Sequence, residues 1–559
     1  MARDDAPKGG AARHLKRYGV FYAIALVVLL AAVVLPAVGG DDDEEELAAD
    51  TSDTTEQPAG DGTADGPWRP ASGDLVHGEG TTRNGDECTE GTHQIPDHTY
   101  SAPCLPAFEG DNGGATARGV TADTIKIVLR DFPSTPNQQQ SDQLLEEAGF
   151  ATRQQRFDTR DVFLDWMNEH YELYGRKVEF IRYESRFGNA TTEALGAGRE
   201  EACQDATYIA EELGAFGVIG MEAGVSGVFA ECAAERELVV FNGAAYFSEG
   251  FYRRYAPYVY ATTMSCDRVS AHLAEYTIKR IAGKPAEFAG GDLQGKTRKA
   301  ATYVPDNEEY VGCTEVTHRL IREAGFDPGS MHTYALDISR MADQANRAIV
   351  QFKADGVTTV VTAADPFSIG FLTSAAKEQD YFPEWLIIGT AAQDTDNFGR
   401  SYNQDVVTGR MFGLSQLSSS NLVYGPASLP GRLYEQITGE PIRPGTTGAL
   451  FQFTNLFNML QAAGPELTAA NIERGIQSMP PLGAPEFPAG KWFYGAGIDG
   501  EPDHTAVDDS REVYWDADAP PGPDEPDRTK RGSFVETEAG VRYDLEEWPE
   551  GDPKVFGAS

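Results

Sequence analysis

The chain has 559 residues and carries 87 acidic against 46 basic side chains, a net charge of −41. That length exceeds what one hydrophobic core serves, so two or more domains are expected. The acidity excludes nucleic acid as a partner, because gripping phosphate needs clustered Lys and Arg.

At the N-terminus, Arg13, Lys16 and Arg17 precede residues 18–38, a run of 21 residues without a charge that Asp41 closes. At 1.5 Å per residue a helix here spans roughly 31 Å, the thickness of a hydrocarbon core. A retained single-pass anchor is expected, with Ala37-Val38-Gly39 as a small-residue cleavage site in the alternative of a signal peptide. Either way the basic flank leaves residues 1–17 in the cytoplasm and exports the body. No Cys follows the run, so a lipoprotein anchor is not indicated. Residues 39–116 read as a polar connector, its first part holding eleven carboxylates and no base between Asp41 and Trp68. Such a stretch buries too little apolar surface to order itself.

The folded body is expected from Gly119. Apolar runs predict strands at 125–129 and 178–183, with helices at 159–174 (Val162, Phe163, Trp166 and Met167 inward) and 200–213. Residues 216–245, FGVIGMEAGVSGVFAECAAERELVVFNGAA, then read as a short apolar strand, a Gly-containing turn, a helix at 226–237 and a second apolar strand at 238–241. Strands so short and apolar are buried on both faces, the habit of a parallel sheet between helices. A fifth strand follows at 258–262. A second alternating set begins at helix 270–281, with strands at 300–304, 331–334, 358–362 and 386–388 and helices at 311–323, 341–354 and 371–378. Helices at 451–463 and 469–479 come later, and 491–494 and 512–515 read as antiparallel strands about the turn at Gly497–Gly500. Alternation of this kind makes right-handed crossovers and doubly wound sheets. Two such sets imply two lobes with a cleft between them, where ligands collect at the carboxyl ends of the strands.

Six cysteines in an exported chain favour disulfides, and no CxxC or HxxxH spacing offers a zinc site. Fifteen pairings are possible; the sequential set Cys88/Cys104, Cys203/Cys232 and Cys266/Cys313 is preferred. His77, His93 and His98 read as loop histidines, and no metal or cofactor is expected.

Several segments carry a family resemblance. GVTADTIKI (119–127) looks like the opening strand of the type I periplasmic solute-binding proteins of the leucine/isoleucine/valine-binding kind. GVIG with its turn and helix is similar to their first ligand loop, and YVYATTMSCD (258–267) to their first interlobe crossing. VPDNEEYVG (304–312) resembles the turn opening a second-lobe helix, and KWFYGAGIDGEP (491–502) a late strand and turn. The likeness covers about Gly119 to Trp515.

The resemblance implies two lobes, each a doubly wound parallel sheet, that close over a small-molecule ligand and dock on an ABC permease. Matching positions nominate Gly224, Val225 and Ser226 at a helix start, where N–H groups and a hydroxyl take an anion. Asn242, Gly243 and Ala244 form the next loop. Phe132 is an aromatic wall, Tyr310 a stacking or donor residue, and Asp365 and Asp394 acceptors for an ammonium or amide. The chain departs from the family at Met221-Glu222, where members that bind amino acids have small polar residues. A carboxylate at Glu222 repels a ligand carboxylate, so an amide, urea-like molecule or polyamine stands beside an amino acid as ligand. RDFPSTPNQQQ after the first strand also replaces a Gly-rich approach and implies an altered cleft edge.

The implied map is lobe 1 over 117–262 with 416–480 returning, and lobe 2 over 263–415 with 481–515 returning. The acidic extension 516–559 is expected to dock in part through Phe534, Tyr543 and Trp548. The competing readings are a membrane-anchored sensor acting through a partner protein, and an enzyme. Gly224-Val225-Ser226-Gly227 lacks the last Gly of a nucleophile elbow, since Val228 stands there, and no HExxH is present.

Overall fold

A computed structural model describes residues 67–557 apart from 135, 148, 195–197, 221–224, 242–246, 391–392, 417–424 and 484–489. The apolar run 18–38 and the acidic stretch 41–66 lie outside the described residues. Among those described, no helix is long and apolar enough to cross a membrane.

The first sheet holds β1 (Thr124–Asp131), β2 (Lys177–Glu184), β3 (Gly217–Gly220) and β4 (Val239–Val240) in the order β2-β1-β3-β4, all parallel. Alternation along β1 sends Ile125, Ile127 and Leu129 to one face and Val128 to the other, and each face carries its own core. The helix Arg153–His170 starts earlier than its apolar spacing suggests because Thr152 and Gln155 form a capping box. The expected fifth strand reduces to single backbone bridges, Val240 to Val259 and Ala261 to Thr505. At Ala261 the chain is already leaving for the second lobe.

The second sheet runs β6-β5-β7-β8-β9 in parallel, from β5 (Ala300–Pro305), β6 (Ser330–Tyr334), β7 (Thr359–Thr362), β8 (Glu384–Ile387) and β9 (Met411–Ser415). The expectation of a wholly parallel sheet fails here. β10 (Ser510–Asp516) pairs antiparallel with β9, and β11 (Ser533–Glu536) and β12 (Arg542–Tyr543) pair antiparallel with β10. The chain enters β10 from a crossing at the carboxyl end of β9, so it must run the other way. The pairing expected between 491–494 and 512–515 is also corrected. The turn closes early, with Ala496 bridging Pro502, so Trp492 meets Val507 and Leu482 while 512–515 joins the sheet.

Residues 67–116 are not an extended connector. Trp68, Ile95, Ala102 and Leu105 belong to the first-lobe core. The buried helix Ala449–Ala463 explains why a polar segment packs there. Asn458 accepts from the Ala102 N–H (2.7 Å) and donates to the Tyr100 carbonyl (2.8 Å), while Gln461 donates to the Pro103 carbonyl (3.0 Å). Three residues apart on a helix, these amides share one face and satisfy backbone groups that would otherwise be orphaned in the core. The helices Leu429–Thr438 and Ala469–Gln477 also pack on lobe 1.

Residues 516–557 pack chiefly on lobe 2, with Asp524 accepting from the Gly445 N–H at 2.8 Å. Phe534 packs on Trp515 with ring centroids 5.1 Å apart. Trp548 is 1% exposed, its Nε1 donating to His272 Nδ1 at 3.1 Å and its ring lying edge-on to Tyr276. Cys88–Cys104, Cys203–Cys232 and Cys266–Cys313 are all disulfide-bonded.

Candidate functional site

Three passages join the lobes: after Ala261, after Ser415, and before Ser510. The first two leave from carboxyl ends of parallel strands, and the third enters β10 at the same edge. The carboxyl ends of both sheets therefore border the interlobe cleft, the place where open α/β sheets bind ligands.

On the first lobe the ends of β1 and β2 hold a buried charge cluster that no motif announces. Arg130 donates to Glu193 Oε1 and Oε2 (2.6 and 3.0 Å) and to Asp205 Oδ2 (2.7 Å). All three side chains are at most 2% exposed. The guanidinium lies between the rings of Phe132 (4.5 Å) and Phe229 (4.0 Å), a cation–π arrangement. Burial alone raises the Asp205 carboxyl, but the Arg130 charge and hydrogen bonds from Ser185 and Tyr183 outweigh it and hold it below the usual range. Phe132 is thus the platform of a structural cation, 4% exposed.

Ser226 caps the helix Gly227–Ala234, accepting from the Phe229 N–H at 3.1 Å, and donates to Glu193 Oε2 at 2.7 Å. With a carboxylate on its hydroxyl, Ser226 is committed to the fold, and the expected anion contact at its side chain is withdrawn. Val225 is 1% exposed and belongs to the lobe-1 core. Glu222, Gly224, Asn242, Gly243 and Ala244 lie outside the described residues. The flanking carbonyls are held from the returning helix, Gly220 by Gln452 (2.8 Å).

On the second lobe, Tyr310 stands in the first turn of the helix Glu308–Glu323, which Asn307 caps, and packs into the apolar cluster with Met264, Val304 and Cys313. Asp365 caps the helix Pro366–Glu378. Its Oδ1 accepts from the Phe367 and Ser368 N–H groups (3.0 Å each), and its Oδ2 from the Tyr334 and Ser368 hydroxyls (2.5 Å each). Four donors fill that carboxylate, so the expected ammonium contact at Asp365 gives way to a structural cap.

Asp394 differs. It follows β8, is 5% exposed, and burial pushes its carboxyl up to about 6. The Ser415 hydroxyl and the Arg511 and Arg542 charges offset only part of that cost. The residue before Asp394 is held in place: Gln393 accepts from Thr362 and donates to Thr390, each at 2.9 Å, and its carbonyl accepts from Tyr402. Gly389 has φ +69°, and a Cβ there would sit 2.9 Å from the Leu414 carbonyl oxygen. Only glycine lets the two strand ends approach so closely.

Gln416, the first residue after β9, links the first crossing to the second. Its Oε1 accepts from the Met264 N–H (2.9 Å), its Nε2 donates to the Gly389 carbonyl (3.1 Å), and its own carbonyl accepts from Arg542 (3.2 Å). Sequence reading passed over β9 and Gln416 because MFGLS is short and interrupted by Gly413. The apolar run ending in Ser-Gln-Leu-Ser was the available signal.

No protein-family model matches the chain, and no curated protein is similar to it. Solved structures are. The leucine-, isoleucine-, valine-, threonine- and alanine-binding protein of Brucella ovis, in a closed conformation, aligns over 77% of this chain and 98% of its own at 14% identity, TM-score 0.51. An amino acid ABC transporter substrate-binding protein from Pseudomonas fluorescens Pf-5 aligns over 76% and 97% at 11% identity, TM-score 0.50. At such identities the likeness is one of fold, and the chain has the two-lobed α/β architecture of the type I periplasmic solute-binding proteins.

Proposed function

We propose that this chain is an extracytoplasmic solute-binding protein that captures a small polar ligand in the interlobe cleft by hinge closure and delivers it to an ABC permease, without chemistry of its own. One observation carries this reading. The carboxyl ends of two separate sheets border three crossings, and the Gln416 side chain at the second of them holds the first, at the Met264 N–H, against the Gly389 carbonyl of the second lobe. Lobes joined this way move about their crossings when a ligand bridges them. The charged run before residues 18–38 supports export of the body, with that run as anchor or signal.

Asp394 is the group we assign to the ligand. An amino group, amide, urea-like N–H or polyamine supplies donors to a carboxylate that the fold leaves undercompensated. Glu222 in the first lobe's ligand loop adds a second acidic group and supports the same ligand classes. The test is a thermal-shift and calorimetric panel of amino acids, amides, urea and polyamines against the full chain. A ligand at 100 times its Kd stabilises the folded state by about 2.7 kcal/mol. A shift confined to one class is expected. Folded protein that answers to none of these classes, at millimolar concentration, overturns the proposal.

A further inference from the structure

Lobe 2 contains a second cavity, of about 250 Å³, that lies inside the lobe and apart from the cleft. It separates the sheet from the helices Cys266–Tyr276 and Glu308–Glu323. Its sheet wall follows the strand period: Thr359 and Val361 on β7 with Ala363 just beyond it, and Leu386 on β8 with Ile388 just beyond it. Its helix wall follows the helical period, with Thr314, Thr317, His318 and Ile321 on one stripe. Small residues at facing positions, Ser270, Ala300 and Ala363 among them, leave the two layers unfilled between. A void of 150 Å³ with apolar walls already accommodates benzene, and this one is larger.

Most polar groups on the inner walls are already engaged within the protein. The Thr314 hydroxyl is spent on the Tyr310 carbonyl, Thr317 on those of Ser270 and Cys313, and Ser270 on Cys313. Arg298, at one edge, is held by the buried Glu384 carboxylate at 2.8 and 3.0 Å. His318 is the exception. Its one protein hydrogen bond among the described residues joins Nε2 to the Thr302 hydroxyl at 3.1 Å, which leaves Nδ1 for a guest. Burial lowers its pKa to about 4, so the imidazole is neutral at pH 7. The exposed lining residues Gly283, Thr297, Gly325 and Asp327 stand where the strands begin, so the mouth opens away from the cleft.

We propose that this cavity is a binding site for a small uncharged aromatic molecule bearing one hydroxyl, a phenol, with its ring between β7 and the helix Glu308–Glu323 and its hydroxyl on His318. Deep in the cavity an anion or cation meets no free counter-charge, since Arg298 is paired with Glu384 and the lining carboxylate Asp327 stands exposed at the mouth, so a charged guest is excluded by the cost of desolvation. A hydroxyl both donates and accepts, so it suits either tautomer of a neutral histidine. The inference is independent of the cleft and of what the cleft binds.

The test uses the full chain with ¹³C-methyl-labelled Ile, Leu and Val, titrated with 4-methylphenol. The expected result is saturable binding with methyl shifts at Leu273, Ile321, Val361, Leu386 and Ile388, and at least tenfold weaker binding in Val361→Phe, which fills the space. Should that variant fail to fold, the methyl map decides alone. Shifts that map to the cleft, binding that survives Val361→Phe, or no saturable binding at millimolar phenol would each overturn the assignment.

Discussion

Replacing Arg130 with Met tests whether the cluster at the ends of β1 and β2 is the buried triad the geometry describes. Met keeps the aliphatic stem between Phe132 and Phe229 but strips a guanidinium that two carboxylates share at 2.6 and 2.7 Å. Removing one partner of a buried pair costs about 3–5 kcal/mol, because the remaining charge is left without water or counter-ion. The expected loss at pH 7 is of that size. For a lobe of this length each kcal/mol moves the melting point by about 2–4 °C.

The pH dependence fixes the mechanism. In the native chain Asp205 sits below its unfolded value of about 3.9, so its contribution is complete above that value and is lost as pH falls through the folded pKa. Without Arg130, burial dominates and Asp205 moves above the ordinary range. The variant's folded state then takes up a proton first, and its deficit shrinks steadily from pH 7 to pH 4. Urea unfolding of both proteins at pH 7 and 4.5 measures this, with the triple change Arg130→Met, Glu193→Gln, Asp205→Asn expected to regain most of the loss. A deficit under about 1 kcal/mol at pH 7, or one that does not change with pH, refutes the triad.

Two further outcomes are expected. Trp548→Ala removes a side chain 1% exposed against Tyr276 and Tyr543 and should cost about 3–5 kcal/mol, releasing the C-terminal segment to limited proteolysis; a protease-resistant variant would show that the extension docks through other contacts. Asp394→Asn should stabilise the unliganded protein by about 2–3 kcal/mol at pH 7, since a carboxyl raised to about 6 destabilises the fold above that pH. The gain should shrink as pH falls through about 6 and vanish below about pH 3.9, where the native Asp is protonated in both states, and affinity for a cationic ligand at pH 7 should fall at least tenfold. Equal ligand affinity in the two proteins, measured by calorimetry, would remove Asp394 from the site.

Why the cleft residues divided as they did follows from what one-dimensional spacing conveys. Ser226, Asp365 and Asp394 each stand a few residues past a buried strand, and nothing local separates their roles. Asp365 is a cap because Phe367, Ser368 and Tyr334 turn four donors on it, and Tyr334 comes from another strand 31 residues away. Ser226 is committed because Glu193, 33 residues earlier, meets its hydroxyl. Asp394 keeps its tension because no comparable set converges there.

The strand–helix order, the two lobes and the burial of the short apolar strands were legible from sequence alone, since burial on both faces forces apolar runs and alternation forces parallel crossovers. Cysteine parity and export context likewise pointed to the three disulfides that form. Tertiary structure alone decided that 67–116 is packed, because its polar backbone is satisfied by Asn458 and Gln461 from a helix more than 350 residues away. It alone decided that β10 pairs with β9 rather than with 491–494, and that Arg130, Glu193 and Asp205 meet. Local pattern specifies which residues must leave water; which distant donors and charges they meet there depends on how the layers close.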